Sequence, residues 1–517
     1  MQTRCVGTSV PTPFAAMLVF RGFSPETDPS AGDELMKHIV ERAVARAEAL
    51  GATYADARAI LYRHQSIHTK NGAPDALSDM TETGIGLRVI ADGAWGFAST
   101  SSTAPADVDA TAELAVRIAR ASATLSPTRV ELAPQEPRQA EWTSEFKTDP
   151  FAVPLERKLG LLIDANKIMR EIAGVRVATG HLNLVREEKW FASSEGASIV
   201  QTRTQSGGMV QAMAEGDGEI QRRSYPSSLD GDNANRGWEF VESLDLAGNA
   251  RRTAEEAAAL LTADPCPSKV TTLILEGSQL ALQVHESCGH PTELDRVFGT
   301  ERSYAGASFL TTDKLGSFRY GSPLVNLYAD ATLPGGLGSF AYDDEGVPSQ
   351  RVDLVREGTF SGYLSSRESA ARLGMESGGA MRASGWNRIP IIRMTNINLA
   401  PGNSSLERLI KETDDGIYAA TTKSWSIDDV RLNFQFATEA AWEIKNGQLG
   451  RMFRNTTYQG ITPEFWGSCD GIAGAKEWRP WGLLSCGKGE PVQVMWVGHA
   501  VAPARFRNVR IGVGGGG

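Results

Sequence analysis

Apolar residues in the stretch 34–50 recur at helical spacing. Leu35, Ile39, Val44 and Ala47 fall on one face, which predicts an Ala-rich helix. Runs rich in β-branched and aliphatic residues follow at 56–61 and 86–90, the second closing on the turn pair Asp92-Gly93. Helical periodicity returns at 105–121 and 154–172, and strand character at 175–184 and 189–192. Residues 207–236 are polar and rich in Gly, Ser and Asp, which predicts a long mobile loop. A helix over 252–261 leads into Asp264-Pro265-Cys266-Pro267, where two prolines stiffen an exposed turn and mark a domain boundary.

Beyond that boundary Lys269–Leu275 reads as a buried strand. Glu276-Gly277 makes a turn, and Ser278 is the expected N-cap of a helix over 279–288 with Leu280, Val284 and Cys288 as its apolar stripe. The remainder is mostly strand: 351–356 and 359–364 flank Glu357-Gly358, while 433–438 and 440–445 lead to Asn446-Gly447. Helices are few there, at 368–373 and 405–413 besides the one at 279–288. The fold class expected is α+β, with an N-terminal mixed α/β domain over 33–264. A C-terminal, mostly antiparallel β domain over 265–513 carries the motif helix. Residues 1–32 read as a disordered extension and 514–517 as a glycine tail. A chain of 517 residues is too long for one core, in keeping with two domains.

Composition narrows the function without defining it. Apolar content of 41% and charged content of 22% describe an ordinary globular protein. A net charge of −10 argues against nucleic acid or anionic membrane as the main partner. No apolar run reaches the roughly 18 residues that span a bilayer. The patch at 13–20 is short and is followed by Arg21-Gly22 rather than a small-residue cleavage site, so the cytoplasm is expected.

Chemistry concentrates at His285-Glu286-Ser287-Cys288-Gly289-His290, an HExxxH hexapeptide in a chain with seven histidines. Neutral imidazoles bind zinc, and a carboxylate beside them can take a proton from water. The spacing poses a geometric problem. Positions i and i+4 of a regular helix differ by about 40° around the axis, but i and i+5 by about 140°. Two ligands so spaced cannot share a metal from an undistorted helix. Gly289 offers one solution by ending the helix in the left-handed conformation, and a one-turn π-bulge offers another.

Two imidazoles do not hold a catalytic zinc firmly, so a third ligand is expected elsewhere. The five cysteines are Cys5, Cys266, Cys288, Cys469 and Cys486. None form a CxxC pair, and their odd number at irregular spacing points to a reducing compartment rather than a disulfide framework. Cys486, in the glycine-containing turn Ser485-Cys486-Gly487-Lys488-Gly489, has a cation two residues on that would favour its thiolate. Cys469, in Gly467-Ser468-Cys469-Asp470-Gly471, competes with it, and from sequence alone a buried free thiol is the commoner reading of either.

Other features are weaker. Gly335-Gly336-Leu337-Gly338-Ser339 lacks the Lys-Ser/Thr ending and the following helix of a phosphate loop. Cys288 reads as a small apolar helix residue, since His290 two positions away is no oriented base. Arg222-Arg223 and the cluster Arg505, Arg507, Arg510 read as solvated faces.

Several motifs in order give a broader picture. They are 51–58 (GATYADAR), 84–89 (GIGLRV), 93–100 (GAWGFAST), the hexapeptide, 343–348 (DDEGVP), 393–396 (RMTN), 415–418 (DGIY), 485–489 (SCGKG) and 503–509 (PARFRNV). With them the chain resembles the TldD/PmbA metallopeptidases from about residue 33 to its end. It departs from them at the tryptophan-rich stretch 468–481, which holds Trp478 and Trp481. The resemblance is to the metal-bearing TldD type, not the partner type that has lost the motif. It implies zinc held by His285, His290 and Cys486, with Glu286 as general base in a peptidase acting on small or unfolded peptides. It also implies a dimer, with a second copy or with a metal-less relative. His499, Lys488 and Arg393 are the candidates to support the oxyanion; Arg393 and Tyr418 could equally touch substrate backbone or serve the fold. The rival reading is a non-catalytic peptide-binding or scaffolding subunit, against which the retention of Glu286 counts.

Overall fold

The computed structural model describes residues 29–512 apart from Pro127, Tyr304 and Ala305. The expected extension lies almost wholly outside the described residues, although Pro29 already opens the first helix; the glycine tail also lies outside them. The N-terminal half runs α1 (Pro29–Ala49), β1 (Tyr54–Lys70), β2 (Ala73–Ala91), β3 (Ala94–Thr100), α2 (Pro105–Ala123), β4 (Gln139–Thr143) and α3 (Leu155–Arg170). It continues through β5 (Val175–Ser193), β6 (Ser198–Gly216), β7 (Glu219–Tyr225), β8 (Asp232–Ala234), α4 (Trp238–Ser243) and α5 (Leu246–Thr262). One sheet has the order β3-β2-β1-β5-β6-β4, with β7 and β8 also paired to β6. Ile39, Val44 and Ala47 of α1 pack with Val116 of α2 against Ala57 and Leu87, whereas Leu35 is exposed.

Strands here are longer than apolar patterning suggests. β1 and β2 stay paired from Tyr54↔Ile90 out to Lys70↔Ala73, although most of β2 before Gly84 is exposed. Backbone pairing, not side-chain burial, carries that ribbon, so its polar sequence hid it. The two strands expected at 175–184 and 189–192 are one continuous β5. The mobile loop expected at 207–236 is instead the end of β6 with β7 and β8. Its Ser224, Asp232 and Asn233 are buried polar residues whose side chains hydrogen-bond inside the protein.

The C-terminal half runs β9 (Asp264–Pro265), β10 (Lys269–Leu275), α6 (Gly277–Val284), α7 (Leu294–Val297), β11 (Leu327–Asp330), β12 (Arg351–Arg356), β13 (Thr359–Phe360) and α8 (Arg367–Ala371). It continues with β14 (Met381–Arg382), β15 (Ile391–Ile392), β16 (Ile397–Leu399), α9 (Leu406–Lys411), β17 (Asp415–Ile427), β18 (Asn433–Lys445), β19 (Gln448–Arg454) and β20 (Thr457–Ile461). It closes with α10 (Thr462–Gly467), β21 (Cys469–Ile472), β22 (Arg479–Lys488), β23 (Gln493–Val501) and β24 (Ala504–Ile511). The main sheet has the order β17-β10-β24-β20-β18-β19-β9, and β17 also pairs with β18. Strands β17, β10, β24, β20 and β18 therefore close on themselves, which removes their edges. Both expected hairpins form, at Glu357-Gly358 and Asn446-Gly447. The pair expected at 433–438 and 440–445 is a single strand, because buried Glu439 accepts from Ser224 of β7 and so needs no turn.

Helix α6 is pinned to this barrel by polar contacts. Gln279 donates to Tyr458 and accepts from Thr422, and Tyr458 donates to Gln283. Among the described residues no helix is long and apolar enough to cross a membrane.

Candidate metal centre

The sheet-to-helix turn places the motif. Glu276, not Ser278, is the N-cap of α6: its carboxylate accepts from the Ser278 amide at 2.9 Å. Every residue of α6 is buried, and Leu280, Val284 and Cys288 lie in the core as expected. At His285–Gly289 the helix makes one π turn, with the His290 amide bonded to the His285 carbonyl. That wider turn takes up the extra residue of the HExxxH spacing and brings the second imidazole back beside the first. The ring centroids lie 4.8 Å apart at 86°. Gly289 keeps an ordinary right-handed φ of −56°, so the left-handed solution is not the one used. Glycine is needed there for another reason, because a Cβ would lie 2.2 Å from the Met394 sulfur.

Cys486 arrives from 196 residues further on, with Sγ 3.8 Å from His290 Nε2. Ligand atoms of His285, His290 and Cys486 all lie within 4.8 Å of one another. The segment is strand β22 rather than a flexible turn. Its register with β23 slips between Leu483 and Cys486, an irregularity of the kind that re-aims a side chain. Burial opposes ionisation of the thiol, but the Arg393 guanidinium and His290 outweigh it and hold its pKa below the usual value. Cys469 lies on β21 outside the cluster, where burial pushes its thiol up to about 12. Burial likewise raises Cys288.

Each imidazole is oriented from behind. His290 Nδ1 lies 3.0 Å from the Glu293 carboxylate, which also accepts from Arg296 Nε at 2.8 Å and sits 3.4 Å from Lys488 Nζ. Because that oxygen only accepts, Nδ1 carries the proton of this bond, and Nε2 faces Cys486. His285 Nδ1 meets His499 Nε2 at 2.8 Å. Burial drives His285 down to about 4 and His499 well below its ordinary value, so both rings are neutral. Two imidazole nitrogens and one activated thiol form an N/S donor set that suits zinc.

Glu286 is engaged on both oxygens. Trp425 Nε1 donates to Oε1 at 2.9 Å, and Arg431 donates to Oε2. Burial would raise this carboxyl, yet Arg431 foremost, with the Trp425 hydrogen bond, holds its pKa below the ordinary glutamate value. Trp425 lies near the end of β17, and Arg431 follows in the link to β18 at φ 66°. Nothing local in the sequence singles out these two residues. Glu293 had a readable signal, since i+3 from His290 is neighbour spacing on a helical turn.

Several expectations change. Lys488 does not serve the thiolate: its ammonium bonds Asp295 at 2.7 and 2.8 Å and the Ile392 carbonyl at 2.6 Å. Arg393 is buried and donates to the carbonyls of Cys486 and Gln493, tying β22 to β23 beside the ligand. Tyr418 is half-buried against Trp442. With His499 on His285, all three oxyanion candidates are committed elsewhere. Arg223 and Arg505 are not solvated but buried, on Glu256 and Glu439 and on Asp470 respectively. Arg222 pairs with Glu439 and Arg507 with Asp470, leaving Arg510 as an exposed side chain. The Gly338 amide is bonded to Asn396 at 2.9 Å.

Comparison with known proteins agrees with this architecture. Models of the PmbA/TldA metallopeptidase domain 1, central domain and C-terminal domain match residues 55–119, 148–262 and 268–512. A metalloprotease of Methanocaldococcus jannaschii is 29% identical over 409 residues, covering 79% of this chain and 86% of that one. A metalloprotease TldD homologue of Haemophilus influenzae is 26% identical over 450 residues, covering 85% and 89%. A proposed modulator of a DNA gyrase from Thermotoga maritima superposes with a TM-score of 0.73 at 18% identity, covering 92% of this chain and 99% of that one, a likeness of fold alone. With matching models spread over most of its length, the chain belongs to the TldD/PmbA family of metallopeptidases.

Proposed function

We propose that the protein is a zinc-dependent peptidase acting on small or unfolded peptides, with His285, His290 and Cys486 as ligands and Glu286 as general base. The observation that carries this reading is the π turn that sets two imidazoles beside a thiol held below its usual pKa, with Glu286 next in sequence to the first. Three protein ligands leave a position open, as catalytic zinc sites do. Zinc bound there would supply Lewis acidity, making water a better nucleophile and polarising the scissile carbonyl. Glu286, held ionised, accepts the proton of the attacking water and delivers it to the leaving amine. Trp425 fixes one oxygen of that carboxylate. Arg431 contacts the other and holds the carboxylate in its charged form.

The wider assignments follow from the same reading. Residues 33–264 and 265–513 are taken as the two domains, because each eight-stranded sheet draws its strands from one side of that junction, apart from β9, which straddles it. The four described cysteines are unpaired, which suits a reducing compartment such as the cytoplasm. The partner is a second copy or a metal-less relative. A non-catalytic scaffold would have no use for a carboxylate oriented on both oxygens. Metal content and hydrolysis of an unstructured peptide pool, measured on the wild type and on Glu286→Gln, test the proposal. Stoichiometric zinc with chelator-sensitive cleavage supports it, and a zinc-loaded wild type that cleaves nothing refutes the peptidase.

A further inference from the structure

We propose that His499 is a positioning residue that fixes the tautomer of His285, so that this imidazole turns an unprotonated Nε2 toward the metal; the inference rests on the metal-site reading above. The argument follows the protons. The Ile397 carbonyl can only accept, so His499 Nδ1, 3.1 Å away, carries the proton of that bond. A neutral imidazole has one N–H, which leaves His499 Nε2 as an acceptor. That nitrogen lies 2.8 Å from His285 Nδ1, which must therefore donate. His285 then has its single proton on Nδ1 and keeps Nε2 bare. A proton on His499 Nε2 would reverse the bond and force the His285 proton onto Nε2, closing that atom to a metal.

The backbone holds this relay in place. On β23 the amides on either side of His499 are both tied down: Gly498 donates to the Thr395 carbonyl at 3.1 Å, and Ala500 to Asn398 Oδ1 at 2.8 Å. A Cβ at position 498 would lie 2.2 Å from Asn396 Oδ1, so the approach that seats His499 requires glycine beside it. The ring itself is fully buried. The two ligand imidazoles thus have unlike supports, a carboxylate behind His290 and a neutral acceptor behind His285. Such partners orient the ring and set its basicity, and their loss weakens metal binding.

Ring-nitrogen NMR on the full-length, metal-free protein with isotopically labelled histidine reads the tautomer directly. The expected result is His285 protonated at Nδ1, with that proton in a hydrogen bond. Chelator competition for zinc is the second readout. His499→Gln can accept from His285 and donate to Ile397, so it retains the wild-type affinity, whereas His499→Leu loses about 10- to 100-fold. A His285 protonated at Nε2, or undiminished zinc affinity in a folded Leu variant, overturns the inference. If the Leu variant does not fold, the wild-type spectrum still decides. Wild-type protein that binds no zinc yet shows the Nδ1–H tautomer sinks the metallopeptidase reading while confirming the His499 pairing.

Discussion

The sulfur of Cys486 lies 3.8 Å from Nε2 of His290, across 196 residues of chain. A strand irregularity aims the one and a π turn aims the other, so neither position follows from regular secondary structure. Cys486→Ser is therefore expected to lose bound zinc, and Cys469→Ser to keep it. Metal analysis of the two purified variants checks this; retention in the first and loss in the second would move the third ligand to Cys469.

Glu286→Gln leaves the three ligands untouched and removes the proton acceptor. Zinc content should be unchanged while kcat falls roughly 100- to 10,000-fold. Full turnover in that variant would remove Glu286 from the mechanism.

Arg431→Gln removes the cation that faces one oxygen of Glu286. Loosening the general base in this way is expected to lower kcat about 10- to 100-fold with little change in metal content. A change confined to KM would instead make Arg431 a substrate-binding residue.

Glu293 is buried among His290, Arg296 and Lys488. Burial opposes its charge, but Lys488 first and His290 next hold the carboxyl well below the ordinary glutamate range. Glu293→Gln leaves buried cations less compensated, so a loss of about 3 kcal/mol in stability is expected. Zinc affinity should fall about tenfold or more through the loosened imidazole. Denaturant titration and chelator competition give the two numbers, and a variant unchanged in both would show that the charge is dispensable.

Asp344, in the turn between β11 and β12, is held by Lys189 of β5 at 2.8 Å. Burial works against its charge, but Lys189 and Arg58 depress the carboxyl from 3.8 to about 2. A folded pKa below the unfolded one means stability that is present above the unfolded value and is lost as pH falls through the folded one. That depression corresponds to roughly 2–3 kcal/mol at neutral pH. Asp344→Asn should cost about that at pH 7, with the gap to wild type closing between about pH 4 and pH 2. Urea midpoints across that range check it; a constant gap would mean that the carboxyl is not the titrating group.

The sequence was most readable where local physics decides the outcome. The Lys269–Leu275 run is β-branched and apolar, and it forms a buried strand with the boundaries expected. Glu357-Gly358 and Asn446-Gly447 make turns because Gly tolerates positive φ, and the residue before it in each pair adopts positive φ as well. The long ribbon of β1 and β2 was less legible, because its outer part is held by backbone pairing to a neighbour and needs no apolar side chains.

The hexapeptide by itself determined that two imidazoles and an acid lie within one turn, and that the turn must be distorted for the imidazoles to converge. Which distortion occurs was decided by packing: Met394 fills the space beside Gly289 and the chain stays right-handed through a π turn. The sequence left Cys486 and Cys469 open as ligands and could not name Trp425, Arg431 or the true partner of His499. These residues come from strands and links far along the chain, and they meet the motif only because barrel closure and the β22–β23 hairpin bring them there. Spacing along a chain constrains only neighbours within a turn or a strand. Contacts between distant segments are settled when the whole core packs.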